Sequence, residues 1–149
     1  MAADPNLKQL GIKVGTVKRT LKEYELYLKE EVEQRAKVAR MKADKIDEAD
    51  IKKQLEVLND TLTVIPDTRQ RMQKYASELR ELVSTHYATV EAAVIAAADA
   101  PPPDGDKAFE HVRDARLYLG KIANHLNSDC LGASLPEAEK PINPADEDV

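Results

Sequence analysis

Cysteine, glycine and aromatic residues are all scarce in this chain of 149 residues. Cys130 is the only cysteine, which excludes an intrachain disulfide and a CxxC metal site. Aromatic residues make up 4% of the chain, with one Phe and no Trp, so the large side chains that fill the core of a sandwich, a barrel or an open-sheet enzyme are nearly absent. The abundant residues are Ala, Leu, Val, Lys and Glu, which are typical of long helices joined along narrow apolar seams.

Sequence motifs of enzymes are also missing. The chain contains no GxGxxG, GxxxxGK, HExxH or GxSxG motif, and its five glycines leave little material for a phosphate-binding loop. The three histidines, His86, His111 and His125, lack the spacing of metal ligands and are interpreted as surface or seam residues. We therefore expect neither an enzyme nor a bound metal or nucleotide cofactor. The polar N-terminal residues 1–6 predict no secretory signal and no membrane span, so we expect a cytoplasmic protein.

The first predicted helix covers about residues 7–46. Its apolar residues alternate in steps of three and four, which is a heptad seam formed by Leu7, Leu10, Val14, Val17, Leu21, Tyr24 and Leu28. The same register then meets Glu31 and Arg35. We therefore expect the seam to move by one residue through a stutter, and to continue at Val32, Ala36, Ala39, Ala43 and Ile46.

The second predicted helix covers about residues 51–97, with Asp47 and Asp50 available to cap its start. Its seam is Ile51, Leu55, Leu58, Leu62, Ile65, Arg69, Met72, Ala76, Leu79, Val83, His86, Val90, Ala93 and Ala97. Pro66 predicts a bend within one continuous helix, because proline removes one backbone donor and crowds the preceding turn. At 1.5 Å per residue this helix would be roughly 70 Å long, so we expect a rod.

A loop and a third helix follow. The segment APPPDGD at residues 100–106 cannot remain helical, and Asp106 can cap a helix over about 107–127. The seam of that helix is Ala108, Val112, Ala115, Leu119, Ile122 and Leu126. The helix is short enough to cover only one end of the rod, so we expect Leu119 to be buried more deeply than Leu58, which lies in the two-helix part.

The predicted fold is therefore all-α. It is an elongated three-helix bundle, an antiparallel coiled-coil rod similar to a spectrin repeat, over residues 1–127. Residues 128–149 hold six acidic residues and one basic residue and predict a disordered acidic tail.

Positive charge is concentrated on the first helix. Residues 7–46 contain eleven basic and six acidic residues, and no acidic residue lies between Pro5 and Lys22. The basic stripe is rich in lysine and lacks interleaved aromatic residues, which argues against nucleic acid, and no apolar face with Trp or Phe points to a membrane surface. An acidic protein partner is the most specific hypothesis, and a solvated helix surface is the alternative.

Gly11 and Gly15 lie inside the first helix, where each destabilises it by about 1 kcal/mol relative to Ala. Two explanations stand: close packing of the third helix at these positions, which we favour, and close approach of a partner.

Four sequence blocks resemble a known family. They are Ile12-Lys13-Val14-Gly15-Thr16-Val17-Lys18-Arg19, then Asp50-Ile51-Lys52-Lys53-Gln54-Leu55-Glu56-Val57-Leu58, then Ile65-Pro66-Asp67 with Arg71, and finally Ala115-Arg116-Leu117-Tyr118-Leu119. In order and spacing they are similar to tubulin-binding cofactor A, well over residues 7–85 and loosely over 108–126. The long connection near residue 100 and the acidic tail depart from the family pattern.

The resemblance implies a three-helix rod, monomeric or homodimeric, that captures folding intermediates of β-tubulin after release from the cytosolic chaperonin. It implies no nucleotide and no metal, a place in the cytoplasm in association with the cytoskeleton, and other tubulin-folding cofactors as further partners. Residues that match the family motifs are the candidate β-tubulin contacts: Lys13, Lys18, Arg19, Lys22, Glu23, Lys52, Lys53, Gln54, Glu56, Asp67 and Arg71.

A different class of function is a coiled-coil adaptor or a prefoldin-like chaperone subunit that works only in an oligomer. Prefoldin-like subunits carry β-hairpins between two long helices, and the short connection KIDEAD leaves no room for strands.

Overall fold

The structure is a computed structural model that describes residues 4–98, 100 and 105–132, with side chains as far as Ser128. Within these residues it contains four helices and no strand. They are α1 (Pro5–Ala43), α2 (Glu48–His86), α3 (Ala88–Ala97) and α4 (Lys107–Gly132). The all-α prediction is confirmed. The proposed tail lies outside the described residues from 133 onward, whereas residues 128–132 belong to α4.

Short local interactions set the helix ends. The backbone N–H of Ala49 donates to Asp47 Oδ1 at 3.3 Å, and the backbone N–H of Phe109 donates to Asp106 Oδ1 at 3.0 Å. Two of the three predicted capping aspartates therefore act as caps, whereas Asp50 lies inside α2, which begins at Glu48. At the end of α1, the N–H of Ile46 donates to the carbonyl of Met41 and the N–H of Lys45 to that of Lys42. This is a Schellman motif, in which Lys45 occupies the left-handed position with φ of 53°.

The chain divides into two compact units. Unit 1 contains the described parts of Met1–Leu21 and Arg71–Ser128, and unit 2 is formed mainly by Lys22–Gln70. In unit 1, Leu10, Val14 and Val17 of α1 are buried, as are Leu79 and Val83 of α2. The buried residues of α4 in the same unit are Phe109, Val112, Ala115 and Ile122.

The predicted stutter in α1 is wrong. Val32 is 67% exposed, and Ala36, Ala39, Ala43 and Ile46 are exposed as well. The original register continues instead to Val38, which is buried. It is maintained by an ion pair inside unit 2, in which Arg35 Nη2 donates to Glu31 Oε1 at 3.0 Å and the two side chains are only 21% and 20% exposed. Because each charge satisfies the other, the seam can pass through both residues.

The seam of α2 also differs from the prediction in unit 2. Leu58 is buried as predicted, but the next buried positions are Thr61 and Thr68, and the predicted seam residues Leu62 and Arg69 are half-buried. The Thr61 hydroxyl donates to the carbonyl of Val57 at 3.3 Å, which satisfies its polar atom inside the core. The helix runs through Pro66 without interruption, so the prediction of one helix across this residue is confirmed.

The predicted helix over 51–97 is divided at Tyr87, so its single-helix description is wrong. Tyr87 has φ of −130° and ψ of 26°, outside the helical region, and separates α2 from α3. Its ring is buried in unit 1, and its hydroxyl donates to Asp4 Oδ2 at 2.8 Å. Residues 4 and 87 are 83 positions apart in sequence, so a long-range contact lies at this break.

The order of burial expected for the two leucines is reversed. Leu58 is 1% exposed in unit 2, whereas Leu119 is half-buried in unit 1. Leu119 lies beside an open groove of about 360 Å³ that α2 and α4 form with Ala76, Ile122 and Leu126 among its walls. The helix α4 therefore directs Phe109, Val112, Ala115 and Ile122 inward more completely than Leu119.

Candidate protein-binding surface

The eleven candidate contact residues are distributed over both units. Unit 1 holds Lys13, Lys18, Arg19 and Arg71, and unit 2 holds Lys22, Glu23, Lys52, Lys53, Gln54, Glu56 and Asp67. Lys13, Glu23, Gln54 and Arg71 are half-buried, and the other seven are exposed.

In unit 1, the basic residues of α1 point in different directions. Lys13 Nζ lies 3.6 Å from Glu78 Oε2, so this lysine links α1 to α2 inside the unit. Lys18 and Arg19 are exposed, and Arg19 donates through Nη2 to Thr16 Oγ1 of its own helix at 3.4 Å. Lys13 therefore has a structural partner, whereas Lys18 and Arg19 leave their charges on the outer surface of α1.

Helix geometry explains this outer surface. Buried Leu10, Val14, Val17 and Leu21 are spaced by four, three and four residues. Residues 8, 12, 15 and 19 precede each of them by two positions, which is a rotation of about 200° at about 100° per residue. Lys8, Ile12, Gly15 and Arg19 therefore form a stripe on the opposite side of α1.

Three residues of this stripe, Lys8, Ile12 and Gly15, were not among the candidate contacts. Ile12 is 49% exposed, although isoleucine is usually buried. The sequence contained a signal for Ile12, because this residue lies outside the predicted seam, which passes through Leu10 and Val14. An isoleucine outside the seam is expected to be exposed, as it is here.

Gly11 and Gly15 have different surroundings. A Cβ atom added to Gly11 would lie 3.2 Å from His111 Nε2, so the imidazole of α4 packs against α1 at this glycine. This contact agrees with the structural explanation of Gly11. At Gly15, among the described residues, only Arg19 Nη1 would lie within 4 Å of an added Cβ atom, at 3.4 Å. Packing of the third predicted helix therefore does not explain Gly15.

In unit 2, the candidates on α2 lie on two neighbouring faces. Lys52 and Glu56 are four residues apart and exposed, so they lie side by side. Lys53 and Asp67 share a face with Val57 and Val64, which are 46% and 37% exposed. On α1, Glu23 accepts a hydrogen bond from the Tyr27 hydroxyl at 3.4 Å. The candidates of unit 2 therefore form extended helix surfaces that mix both signs of charge.

Two side chains of unit 1, Asp4 and Tyr87, have shifted pKa values. The hydrogen bond from the Tyr87 hydroxyl, together with backbone N–H groups, lowers the pKa of the Asp4 carboxyl. Burial, and then the same carboxylate, raises the pKa of Tyr87 to about 12. This pair joins the start of α1 to the α2–α3 junction, and we assign it a structural role.

Two open grooves and no metal cluster are found in the described part of unit 1. Among residues with described side chains, no cluster of three or more His, Cys, Asp or Glu residues is arranged to hold a metal ion. No described helix is long and apolar enough to cross a membrane. Besides the groove beside Leu119, an open groove of about 420 Å³ lies between α3 and α4 and is lined by residues such as Ile95, Arg113 and Leu117.

Comparison with known proteins gives one consistent family. The model of the family described as Tubulin binding cofactor A matches residues 5–100. Tubulin-specific chaperone A of Gallus gallus is 40% identical over 90 residues, which are 60% of this chain and 83% of that protein. The Homo sapiens protein of the same name is 37% identical over 120 residues, which are 80% of this chain and 95% of that protein.

Solved structures agree. The crystal structure of tubulin folding cofactor A from Arabidopsis thaliana superposes with a TM-score of 0.59 at 26% identity, covering 80% of this chain and 96% of that one. The human tubulin chaperone cofactor A superposes with a TM-score of 0.57 at 28% identity, covering 80% of this chain and 99% of that one.

Proposed function

The chain belongs to the tubulin-binding cofactor A family, and from this membership we propose that it captures folding intermediates of β-tubulin by surface binding. The observation that carries the proposal is the uncovered basic surface of α1. Lys18 and Arg19 are exposed, and no acidic residue lies between Pro5 and Lys22. A surface of this kind suits a large acidic partner better than a small substrate.

Capture would act through mass action. A protein that binds a folding intermediate lowers the free concentration of that intermediate, and so competes with its aggregation. Complementary charges would increase the association rate, and this contribution would decrease as salt screens it. The mechanism requires no nucleotide hydrolysis.

Several finer features belong to the same proposal. We infer a cytoplasmic protein associated with the cytoskeleton, acting as a monomer or homodimer alongside other tubulin-folding cofactors. We also infer that the helices form an elongated three-helix bundle, and that Lys52, Lys53, Gln54, Glu56 and Asp67 of unit 2 contribute to the partner surface.

The test is a pull-down of tubulin chains newly released from the chaperonin. The full chain should recover β-tubulin in clear excess over α-tubulin. Equal recovery of both chains, or recovery of neither, would contradict the proposal.

A charge-reversal series then tests the basic surface. Lys18, Arg19 and Lys22 would be changed together to Glu, which should weaken β-tubulin capture and leave helicity and the melting temperature unchanged. The matched control changes exposed Lys74, Arg113 and Lys121 to Glu, which alters the net charge equally. If both triple variants lose capture to the same extent, only net charge matters, and the α1 surface has no specific role.

The oligomeric alternative is tested by sedimentation combined with light scattering. A monomer or dimer agrees with the proposal. An obligate hexamer would instead support a prefoldin-like chaperone subunit.

A further inference from the structure

Gly15 lies in the middle of a long helix, where glycine is destabilising relative to alanine because its backbone is more flexible when unfolded. At Gly11, the close approach of His111 accounts for the missing side chain. At Gly15 no described residue of another helix lies within 4 Å of an added Cβ atom. The only neighbour is the flexible end of Arg19, so an alanine would fit at this position. Gly15 itself is half-buried, and no described residue of another helix accounts for the missing side chain at this position.

The surroundings of Gly15 are apolar at one position and basic at the others. We define the Gly15 face as Lys8, Ile12, Gly15, Lys18 and Arg19. Ile12 is 49% exposed, and Lys8, Lys18 and Arg19 are exposed. Neither Lys8 nor Lys18 forms an ion pair with any described residue. Acidic residues are absent from the whole segment 5–22 of α1.

We propose that the Gly15 face is the docking surface for an acidic amphipathic helix of the folding β-tubulin chain. This inference rests on the function proposed above and names the contact through which it operates. The helix would cross α1 closely at Gly15, place an apolar side chain against Ile12, and direct carboxylates toward Lys8, Lys18 and Arg19.

Two properties of the face select this kind of partner. The spacing 8, 12, 15, 19 is the spacing by which one helix contacts another along a seam, and a glycine at its centre permits close approach of two backbones. The charges supply the second property. Three exposed basic side chains without a neighbouring acid on α1 repel a basic partner and attract an acidic one.

The sharpest test is Gly15→Ala. Because the methyl group fits the free protein and alanine favours helix, the variant should melt at a higher temperature than the wild type. In the complex the same methyl group would overpack the crossing point, so capture of newly released β-tubulin should weaken by about fivefold or more. If Gly15 had only a structural role, Gly15→Ala would change the stability of the protein and its capture of β-tubulin in the same direction. Gly15→Leu should weaken capture further.

Gly120→Ala is the matched control. Gly120 lies exposed in α4, and no described atom outside its local helix lies within 4 Å of an added Cβ atom. This variant should also melt at a higher temperature, yet capture β-tubulin as the wild type does. A second pair compares Ile12→Ser with Ile95→Ser, because Ile95 is 56% exposed on α3 and outside the face. Only Ile12→Ser should weaken capture.

The outcomes separate the inference from the proposed function. If the wild type fails to capture β-tubulin, the function itself is refuted. If the wild type captures it and both Gly15 variants do so equally well, the docking inference alone is overturned. The inference would also be overturned if Gly15→Leu, and likewise a chain that ends after Gly132, captured β-tubulin more strongly than the wild type does. That result would assign the Gly15 face to the acidic segment 133–149. If the Gly15 variants lose self-association and capture β-tubulin unchanged, the Gly15 face binds a second copy of the chain, and the inference is overturned as well.

Discussion

Truncating Leu58 should destabilise the protein more than truncating Leu119. Leu58 is 1% exposed, so Leu58→Ala removes three carbon atoms from a closed core. At about 0.8 kcal/mol per methylene the lost burial amounts to about 2.4 kcal/mol, and the remaining cavity raises the total to about 3 to 4 kcal/mol.

Leu119 differs because it is half-buried on the wall of an open groove of about 360 Å³. Leu119→Ala widens a space that water already reaches, so no closed cavity adds to the lost burial. The expected loss is about 1 to 1.5 kcal/mol. Leu117→Ala is the control for the loss of side-chain bulk from α4, because Leu117 is 53% exposed and should change the stability by less than about 0.5 kcal/mol.

The assay is urea unfolding followed by circular dichroism at 222 nm, with the three variants and the wild type in one buffer. The free energies of unfolding of the two core variants should differ by about 2 kcal/mol. In a thermal melt of the same variants, this difference corresponds to about 4 to 8 °C in melting temperature for a chain of this size. If the chain unfolds in two steps, the Leu58 variant should shift the step that belongs to unit 2. Equal losses, or a larger loss for Leu119→Ala, would refute the burial argument.

Three further predictions concern single contacts. Lys45→Gly should raise the stability by about 1 kcal/mol in a thermal melt, because Lys45 holds a left-handed φ of 53° that glycine adopts without strain; no gain would contradict the Schellman assignment. Tyr87→Phe should lower the melting temperature at pH 7. The pKa of Asp4 is depressed below its ordinary 3.8, so the stability that the Asp4–Tyr87 pair contributes is present above that pH and is lost as pH decreases through the folded-state pKa. A difference in melting temperature between wild type and variant that stays constant down to pH 2 would contradict this contribution. Glu31→Gln should cost about 1 to 2 kcal/mol in urea unfolding and Glu33→Gln, in an exposed pair, less than about 0.5 kcal/mol; equal costs would show that the half-buried pair does not hold the seam.

Local chemistry in the sequence was sufficient to predict the aspartate caps at the starts of α2 and α4. Asp47 and Asp106 cap helices because a short carboxylate reaches backbone N–H groups within three residues, which requires no knowledge of the fold. The first half of the α1 seam was predictable for a similar reason. Its seam residues from Leu10 to Tyr24, at positions 10, 14, 17, 21 and 24, are all apolar or aromatic and all buried.

Hydrophobic patterning failed where polar residues are buried. Glu31 and Arg35 neutralise each other across one helical turn, and Thr61 satisfies its hydroxyl on its own helix, so all three occupy seam positions that a search for apolar residues passes over. The break at Tyr87 was not predicted for another reason. The hydroxyl of this buried tyrosine donates a hydrogen bond to Asp4, which is 83 residues away in sequence, and local patterning does not reveal a contact between such distant residues.

The contact residues on the binding surface stay a prediction. Lys18 and Arg19 are candidates because of their charge and the family motif, and their side chains are exposed. Charge counting could not separate them from Lys13, whose partner Glu78 lies on another helix. The difference between Gly11 and Gly15 also needed the structure, because the sequence alone leaves the same two explanations open for both glycines.

A pull-down of newly released tubulin chains decides whether this chain captures β-tubulin folding intermediates. The wild-type chain should recover β-tubulin in clear excess over α-tubulin, in a complex that forms without added nucleotide. Recovery of both tubulins in equal amounts, or of neither, would contradict it.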